Sequence, residues 1–446
     1  METIFNNILT IGTQAIQLIL GLSLLVFVHE LGHFFFARLF GMKVDKFYLF
    51  FDVGGVSLFK FKSRKTQTVY GMGWLPLGGY CKIAGMIDES YLTDGKPSEV
   101  VAYEYRSKPA WQRLLTMLGG VLFNFILALI IYTGISFTWG DMSLKSREVS
   151  AGMVFSSAAQ EVGFRDGDII LSVDGEELNV LSPQFYREVI EAKSVTVRRG
   201  DSTLQIAIPN DMMQRVIAGK MGLMSMQTPF VIKETLPNGN ARRAGLLPQD
   251  QVVAVNGVQT PDILDVQTQL RKHKSQDVVL TTIRGGESIP ITVSVDSTGL
   301  VGAQLQGFLE VYPVRKITYS LWESIPIGWE KGITTLTGSA GDMKYVFTKE
   351  GAGQMGGFIS IGKLFPQEFS WYSFWNVCAL LSVIFAFMNF LPIPALDGGH
   401  ILFVLWELIT GRKVKENVLI RAQMIGFFFL LALLLYVNLN DIIKLF

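Results

Sequence analysis

Apolar and polar positions are divided unevenly along this chain. Long apolar runs occupy both ends, and the centre is built of short alternating runs broken by Gly, Asp and Asn turns. A bilayer is crossed by about 20 predominantly apolar residues in a helix. Four runs reach that length, at residues 11–40, 114–139, 374–392 and 418–437. Between the first two, residues 60–84 alternate and carry glycines, as in Gly71-Met72-Gly73-Trp74 and Leu77-Gly78-Gly79-Tyr80. That rhythm predicts a glycine-interrupted β-hairpin sheet. The centre contains an internal repeat. Residues 163–175, with Asp166-Gly167-Asp168 and Asp174-Gly175, align with residues 245–257, with Gln249-Asp250 and Asn256-Gly257. Each copy reads as a turn, a buried strand and a tight turn, then a helix-like stretch and a strand ending at Arg199-Gly200 or Arg284-Gly285. The organisation expected is a first transmembrane helix at 1–40, a loop with a β-hairpin sheet at 41–110 and a second helix at 111–140. Soluble repeats follow at 147–210 and 220–310, an amphipathic segment at 313–370, and further transmembrane helices at 372–408 and 418–438.

Composition agrees with membrane ends around a soluble centre, since 49% of residues are hydrophobic and 17% charged, with the charge concentrated in the middle. The loop after the first span holds Arg38, Lys43, Lys46, Lys60, Lys62, Arg64 and Lys65, and that after the third holds Arg412, Lys413 and Lys415. The N-terminal tail has no Lys or Arg. An excess of Lys and Arg marks cytoplasmic loops, so both loops are expected inside and the central region outside. The first segment lacks the basic start and small-residue cleavage site of a signal peptide and is expected to stay in the mature protein. A net charge of +1 argues against a nucleic-acid partner. Two cysteines, Cys81 and Cys378, support neither a disulfide framework nor a thiolate metal site and read as small core residues.

Against this apolar background, His29-Glu30-Leu31-Gly32-His33 stands out on the first span. On a helix two histidines four apart share one face, each able to give a nitrogen to one zinc ion, with Glu30 beside them as a base for water. A carboxylate at bilayer depth costs about 2.5–3.5 kcal/mol on an insertion scale, which makes a purely structural role expensive. A catalytic zinc keeps three protein ligands, so a third must come from elsewhere. Near the end of the third span, Asn389-Phe390-Leu391-Pro392-Ile393-Pro394-Ala395-Leu396-Asp397-Gly398-Gly399-His400 carries two prolines that no helix continues through. Irregular backbone at this depth is tolerated only against protein or a wet cavity. Asp397 is therefore the candidate third ligand, with an Asx turn or helix cap as the plainer reading. His400 is a rival ligand, read as supporting the site rather than binding metal.

These residues resemble the site-2 protease family, in the bacterial form with tandem PDZ domains. The resemblance rests on HExLGH in the first span, residues 73–80 in the loop, Gly120-Val121-Leu122-Phe123-Asn124 in the second span, and residues 389–399 in the third. Val121 departs from it, since the family pattern usually has proline there. The resemblance implies a polytopic α-helical membrane protein with four transmembrane helices, a cytoplasmic β-loop dipping into the membrane and two periplasmic PDZ domains. It implies one catalytic zinc held by His29, His33 and Asp397, with Glu30 as general acid and base, in a bacterial inner membrane. It implies single-span membrane protein substrates, such as an anti-sigma factor already trimmed outside, or leftover signal peptides. Asn389 is expected to hydrogen-bond substrate backbone or the developing oxyanion. Gly73, Trp74, Leu75 and Pro76 are expected to form a sheet edge that takes up unwound substrate as a strand. The repeats would bind peptide segments along a strand edge, residues 221–223 forming the second one's peptide-terminus loop, or else act as a size filter. Asn124 reads as helix packing, and the 314–369 segment as a helix lying on the outer membrane surface, with Trp322, Trp329 and Lys331 at the interface. A membrane-anchored scaffold without catalysis and a metal transporter are the other classes considered.

Overall fold

The computed structural model describes residues 2–86, 100–219, 222–346 and 348–444, which places Met221 of the expected peptide-terminus loop outside the described residues. The chain divides into two compact units, one of residues 1–140 and 318–446, the other of residues 141–317.

In the first unit the helices are α1 (Glu2–Leu39), α2 (Ala110–Trp139), α3 (Leu321–Val346), α4 (Trp371–Phe390), α5 (Asp397–Thr410) and α6 (Glu416–Ile443). Among the described residues, α1 from Leu9 onward, α2, α4 and α6 are long and apolar enough to cross a membrane. Leu25 of α1, Ala128, Ile131 and Ile135 of α2, and Cys378, Ala379 and Val383 of α4 make a common core with Phe365. The third apolar run is not one helix. α4 stops at Phe390, the backbone runs irregularly through Pro392 and Pro394, and α5 restarts at Asp397. Each proline lacks the N–H a continuing helix needs, which is why the break falls there. The two glycines after Asp397 allow close packing. A side chain on Gly398 would meet the Leu391 carbonyl at 1.8 Å, and one on Gly399 would meet Pro394 Cα at 2.7 Å.

α3 packs against α2, where Lys331 donates to Ser136 Oγ at 2.9 Å and Tyr132 pairs with Thr335 at 3.2 Å. Gly328 and Gly332, one turn apart, open the way. A Cβ on Gly328 would fall 2.2 Å from Thr133 Oγ1, and one on Gly332 2.5 Å from Leu129 Cδ2. Small residues at this spacing let two helices approach closely in lipid.

The loop after α1 forms a four-stranded sheet of β1 (Val44–Phe51), β2 (Ser57–Lys62), β3 (Val69–Gly73) and β4 (Leu75–Ile83), in the order β2-β3-β1-β4. It is a sheet in which β2 and β3 form a hairpin, as expected, but β4 does not pair with β3. β1 lies between them, parallel to β3 and antiparallel to β4. β4 is therefore an edge strand, and it packs on α1.

The second unit has two hydrophobic cores, one around Phe155, Phe164, Ile170 and Val195, the other around Ile232, Leu246, Val252 and Leu280. The first holds an antiparallel sheet of β5 (Ile169–Val173), β6 (Ser194–Arg199) and β7 (Ser202–Ala207). The second holds β8 (Phe230–Thr235), β9 (Gln251–Val255), β10 (Asp277–Arg284), β11 (Glu287–Ser294) and β12 (Ala303–Leu305), in the order β11-β10-β9-β8-β12. The repeat recurs atom by atom. Arg199 grips the buried Asp168 through two bonds of 2.8 and 2.7 Å, and Arg284 grips the buried Asp250 through two of 2.7 Å. Each arginine also donates to the glycine carbonyl that opens its copy, Gly163 or Gly245. Asp174-Gly175 and Asn256-Gly257 take positive φ at both positions, as tight hairpin turns require.

Candidate metal centre

His29 and His33 lie one turn apart on α1, and Asp397 comes from the first turn of α5. Their ligand atoms converge. The two Nε2 atoms are 3.1 Å apart, and Asp397 Oδ2 lies 3.0 Å from that of His29 and 3.3 Å from that of His33. Among the described residues these three are the group able to hold a metal, and His400 is not part of it. The imidazoles stand at 82° to each other, so their lone pairs meet at a point rather than stacking.

The donor set fits a metal. His33 Nδ1 lies 2.8 Å from the Thr116 carbonyl, which can only accept, so Nδ1 carries the proton and Nε2 offers a lone pair. A lone pair and a carboxylate oxygen about 3 Å apart repel unless a cation lies between them. Asp397 Oδ2 is buried without a hydrogen-bond donor. Zinc bonds of about 2.0–2.1 Å in a tetrahedron set ligand atoms roughly 3.3 Å apart, close to the spacing seen.

Three elements bring these groups together. α2 contributes a floor: a Cβ on Gly120 would lie 2.5 Å from His29 Cε1 and 2.6 Å from His33 Nε2, so only glycine leaves the rings room. α5 is tied to α2 by Arg113, whose guanidinium meets Glu407 at 2.5 Å with both side chains largely buried. Breaking such a pair strands a buried charge, which fixes α5 and with it Asp397. α6 holds the broken segment. Gln423 accepts from the Ala395 N–H at 2.6 Å and its amide lies 3.0 Å from His400 Nε2. A Cβ on Gly426 would fall 2.0 Å from the Pro394 carbonyl. His400 is thus engaged with α6, beside the triad.

The triad opens on a cavity of about 470 Å³ whose lining includes Glu30, Gly79, Tyr80, Cys81, Lys82 and His400. The backbone N–H of Cys81 reaches the Glu30 carboxylate, so β4 both borders the site and holds its base. In the same lining Tyr80 donates to Asp52 at 2.7 Å and Lys46 does so at 3.2 Å. Burial alone would raise the Asp52 carboxyl, but these bonds hold it below its ordinary value, as an ion. Burial, then the Glu30 charge, push the Cys81 thiol well above its usual range, which leaves it an unreactive lining residue.

The other expected site residues fall elsewhere. Asn389 stands in the last turn of α4 and does not line the cavity. Nor do Gly73, Trp74, Leu75 and Pro76. Gly73 ends the interior strand β3, with a would-be Cβ 2.1 Å from the Phe51 carbonyl, and Trp74 donates to the Val53 carbonyl. The part of the sheet that faces the triad is the later half of β4. Sequence reasoning passed over it because pairing with β1, forty residues earlier in places, decides which strand is the edge.

A largely buried triad of two histidines and an aspartate, with a glutamate beside it inside a bundle of membrane-length helices, defines a metallopeptidase of the membrane. Comparison with known proteins carries this further. The chain belongs to Peptidase family M50, the site-2 protease family, whose model matches residues 17–433. It is similar to the zinc metalloprotease RasP of Geobacillus kaustophilus, 28% identical over 453 residues that cover 97% of this chain and 98% of the relative. A protein of Treponema pallidum whose name places it among the zinc metalloproteases is 28% identical over 452 residues, covering 96% and 99%. One of Ralstonia nicotianae, named likewise, is 26% identical over 460 residues, covering 96% and 98%. The chain is a zinc metalloprotease of a membrane-embedded family.

Proposed function

We propose that this enzyme hydrolyses a peptide bond within or near the transmembrane segment of a single-span membrane protein, with one zinc held by His29, His33 and Asp397. The observation that carries this is the convergence of those three groups and Glu30 on one cavity bordered by an edge strand. Bound there, zinc supplies an electrophile that polarises a carbonyl and makes water acidic enough to attack near neutral pH. Glu30 takes the proton of the attacking water and returns it to the leaving amine. The Cys81 N–H keeps the Glu30 carboxylate aimed at that water.

A transmembrane substrate arrives helical, with its amides paired, and has to be held extended before it is cut. In this reading the edge strand β4 takes up the extended segment as an added strand, whose ladder replaces those bonds. The docking strand of this proposal is therefore Gly79 to Lys82, with residues 73–76 as its support. Asn389, one turn before the proline break, is placed in this reading to meet substrate entering the cavity. The loops at 41–110 and after α5 face the cytoplasm of a bacterial inner membrane, by their excess of Lys and Arg. The two repeats are PDZ domains on the outer side, supported by their duplicated Asp–Arg clamp and turn pattern. The class of substrate is an already trimmed single-span protein, such as an anti-sigma factor or a signal-peptide remnant.

The test is Glu30→Gln in the purified full chain. Zinc content stays at the parental level while cleavage of a single-span model substrate is lost. Cleavage at the parental rate would refute the mechanism, and absence of cleavage by the parent itself would favour a scaffold.

A further inference from the structure

Two histidines that give a metal the same nitrogen face the same problem on the opposite side of the ring. Each Nδ1 then carries a proton that needs an acceptor in a place sealed from water. His33 has one in the Thr116 carbonyl of α2, at 2.8 Å. His29 points its Nδ1 at the carboxamide of Asn124, also on α2, at 3.4 Å. Asn124 is fully buried, and its Oδ1 has no hydrogen-bond partner. The oxygen and nitrogen of a carboxamide exchange places by a half-turn about the last side-chain bond. That half-turn lays Oδ1 against the His29 Nδ1 proton and removes the orphaned acceptor in the same movement.

We infer that Asn124 is a positioning residue for the zinc site: its Oδ1 accepts the Nδ1 proton of His29, fixes the tautomer that leaves Nε2 free for metal, and holds the ring against rotation. This rests on zinc being held by His29, His33 and Asp397. Thr116, Gly120 and Asn124 recur at intervals of four, so they lie on one face of α2, the face turned to His29 and His33. Thr116 and Asn124 supply acceptors at the two ends, and Gly120 between them leaves the rings their space. The Ser382 hydroxyl of α4 donates to the Asn124 backbone carbonyl at 2.7 Å, anchoring this stretch of α2 to the helix that leads to the break before Asp397. α2 contributes no ligand, yet orients both ligating rings.

The experiment measures zinc affinity of the purified full chain by competition with a chromophoric chelator, together with the absorption spectrum of the cobalt-loaded protein. Asn124→Leu, nearly the same size with no acceptor, is expected to weaken zinc binding by about 10–100-fold and to alter the cobalt spectrum. Asn124→Asp, an acceptor of the same shape, is expected to stay within a few-fold of the parent, a rescue that loss of packing alone would not show. Should Asn124→Leu not fold, Asn124→Ala removes the acceptor without bulk and carries the same expectation. Parental affinity in the folded Leu or Ala variant overturns the inference, as does an Asp variant as weak as the Leu one. His33→Ala serves as reference: if it binds zinc as the parent does, the assignment of the zinc site itself falls, independently of Asn124.

Discussion

Replacing Gly32 by alanine is the sharpest test of how the site is assembled, because it adds one methyl group and touches no ligand. The backbones of α1 and α2 meet there. A Cβ on Gly32 would lie 2.2 Å from the Gly119 carbonyl oxygen and 2.5 Å from its carbon, and a Cβ on Gly119 would lie 2.5 Å from the Gly32 oxygen. Carbon and carbonyl oxygen sit comfortably at about 3.3 Å. The helices must therefore part by about 1 Å. Metal sites tolerate ligand displacements of about 0.2 Å, so the separation is several times what the triad can absorb while Asp397 stays with α2 through the Arg113–Glu407 pair. A 1 Å misplacement costs about 100-fold in rate, equivalent to about 2.7 kcal/mol of barrier. Gly32→Ala should lower kcat/KM for a single-span substrate about 100-fold and reduce zinc retained through gel filtration. Gly119→Ala should do the same. The double variant should lose far less than the product of the two, because one separation relieves both contacts. Parental cleavage with full zinc in Gly32→Ala, or fully multiplicative losses in the pair, would refute the reasoning.

Two further outcomes bear on how substrate reaches the site. A substrate carrying a photoreactive residue beside its scissile bond, bound to the Glu30→Gln enzyme, should cross-link to the peptide containing Gly79 to Lys82; labelling confined to residues 73–76 or to other elements would remove Gly79 to Lys82 as the docking strand. Deleting residues 147–310 should let intact, untrimmed substrates be cleaved if the repeats act as a size filter, whereas slower cleavage of trimmed substrates would show that they dock the substrate instead.

What could be read in the sequence was whatever a single segment declares. Membrane-length apolar runs, the i, i+4 spacing of His29 and His33, and the prolines that free Asp397 are local signals, and the structure places these elements accordingly. The repeat was legible for the same reason, through Asp174-Gly175 and Asn256-Gly257. Its Asp168–Arg199 and Asp250–Arg284 clamps were not, since each joins residues more than thirty apart. The sheet shows the limit clearly. Alternation announced strands, but β1 inserts between β3 and β4, and no pattern within residues 60–84 could reveal a partner supplied by residues 44–51. In the α3 segment the packing partner was not legible, since Gly328 and Gly332 meet Thr133 and Leu129 of α2, about two hundred residues earlier.

Asn124 marks where local and non-local information meet. Its four-residue spacing from Gly120 and Thr116 matches the spacing of His29 and His33, so the sequence holds two helical faces of the same period. A shared period between two helices is uninformative until something fixes their register. Gly32 and Gly119 fix it here, because the backbones meet at that pair with no room for a side chain, and this sets Asn124 opposite His29 and Thr116 opposite His33. Any shift of α2 along α1 by one turn would bring Thr116 or a side chain at 128 toward the rings, and Ala128 offers no acceptor. The glycine contact is thus as much a part of the metal centre as the ligands are, since it decides which hydrogen-bonding groups the ligands meet.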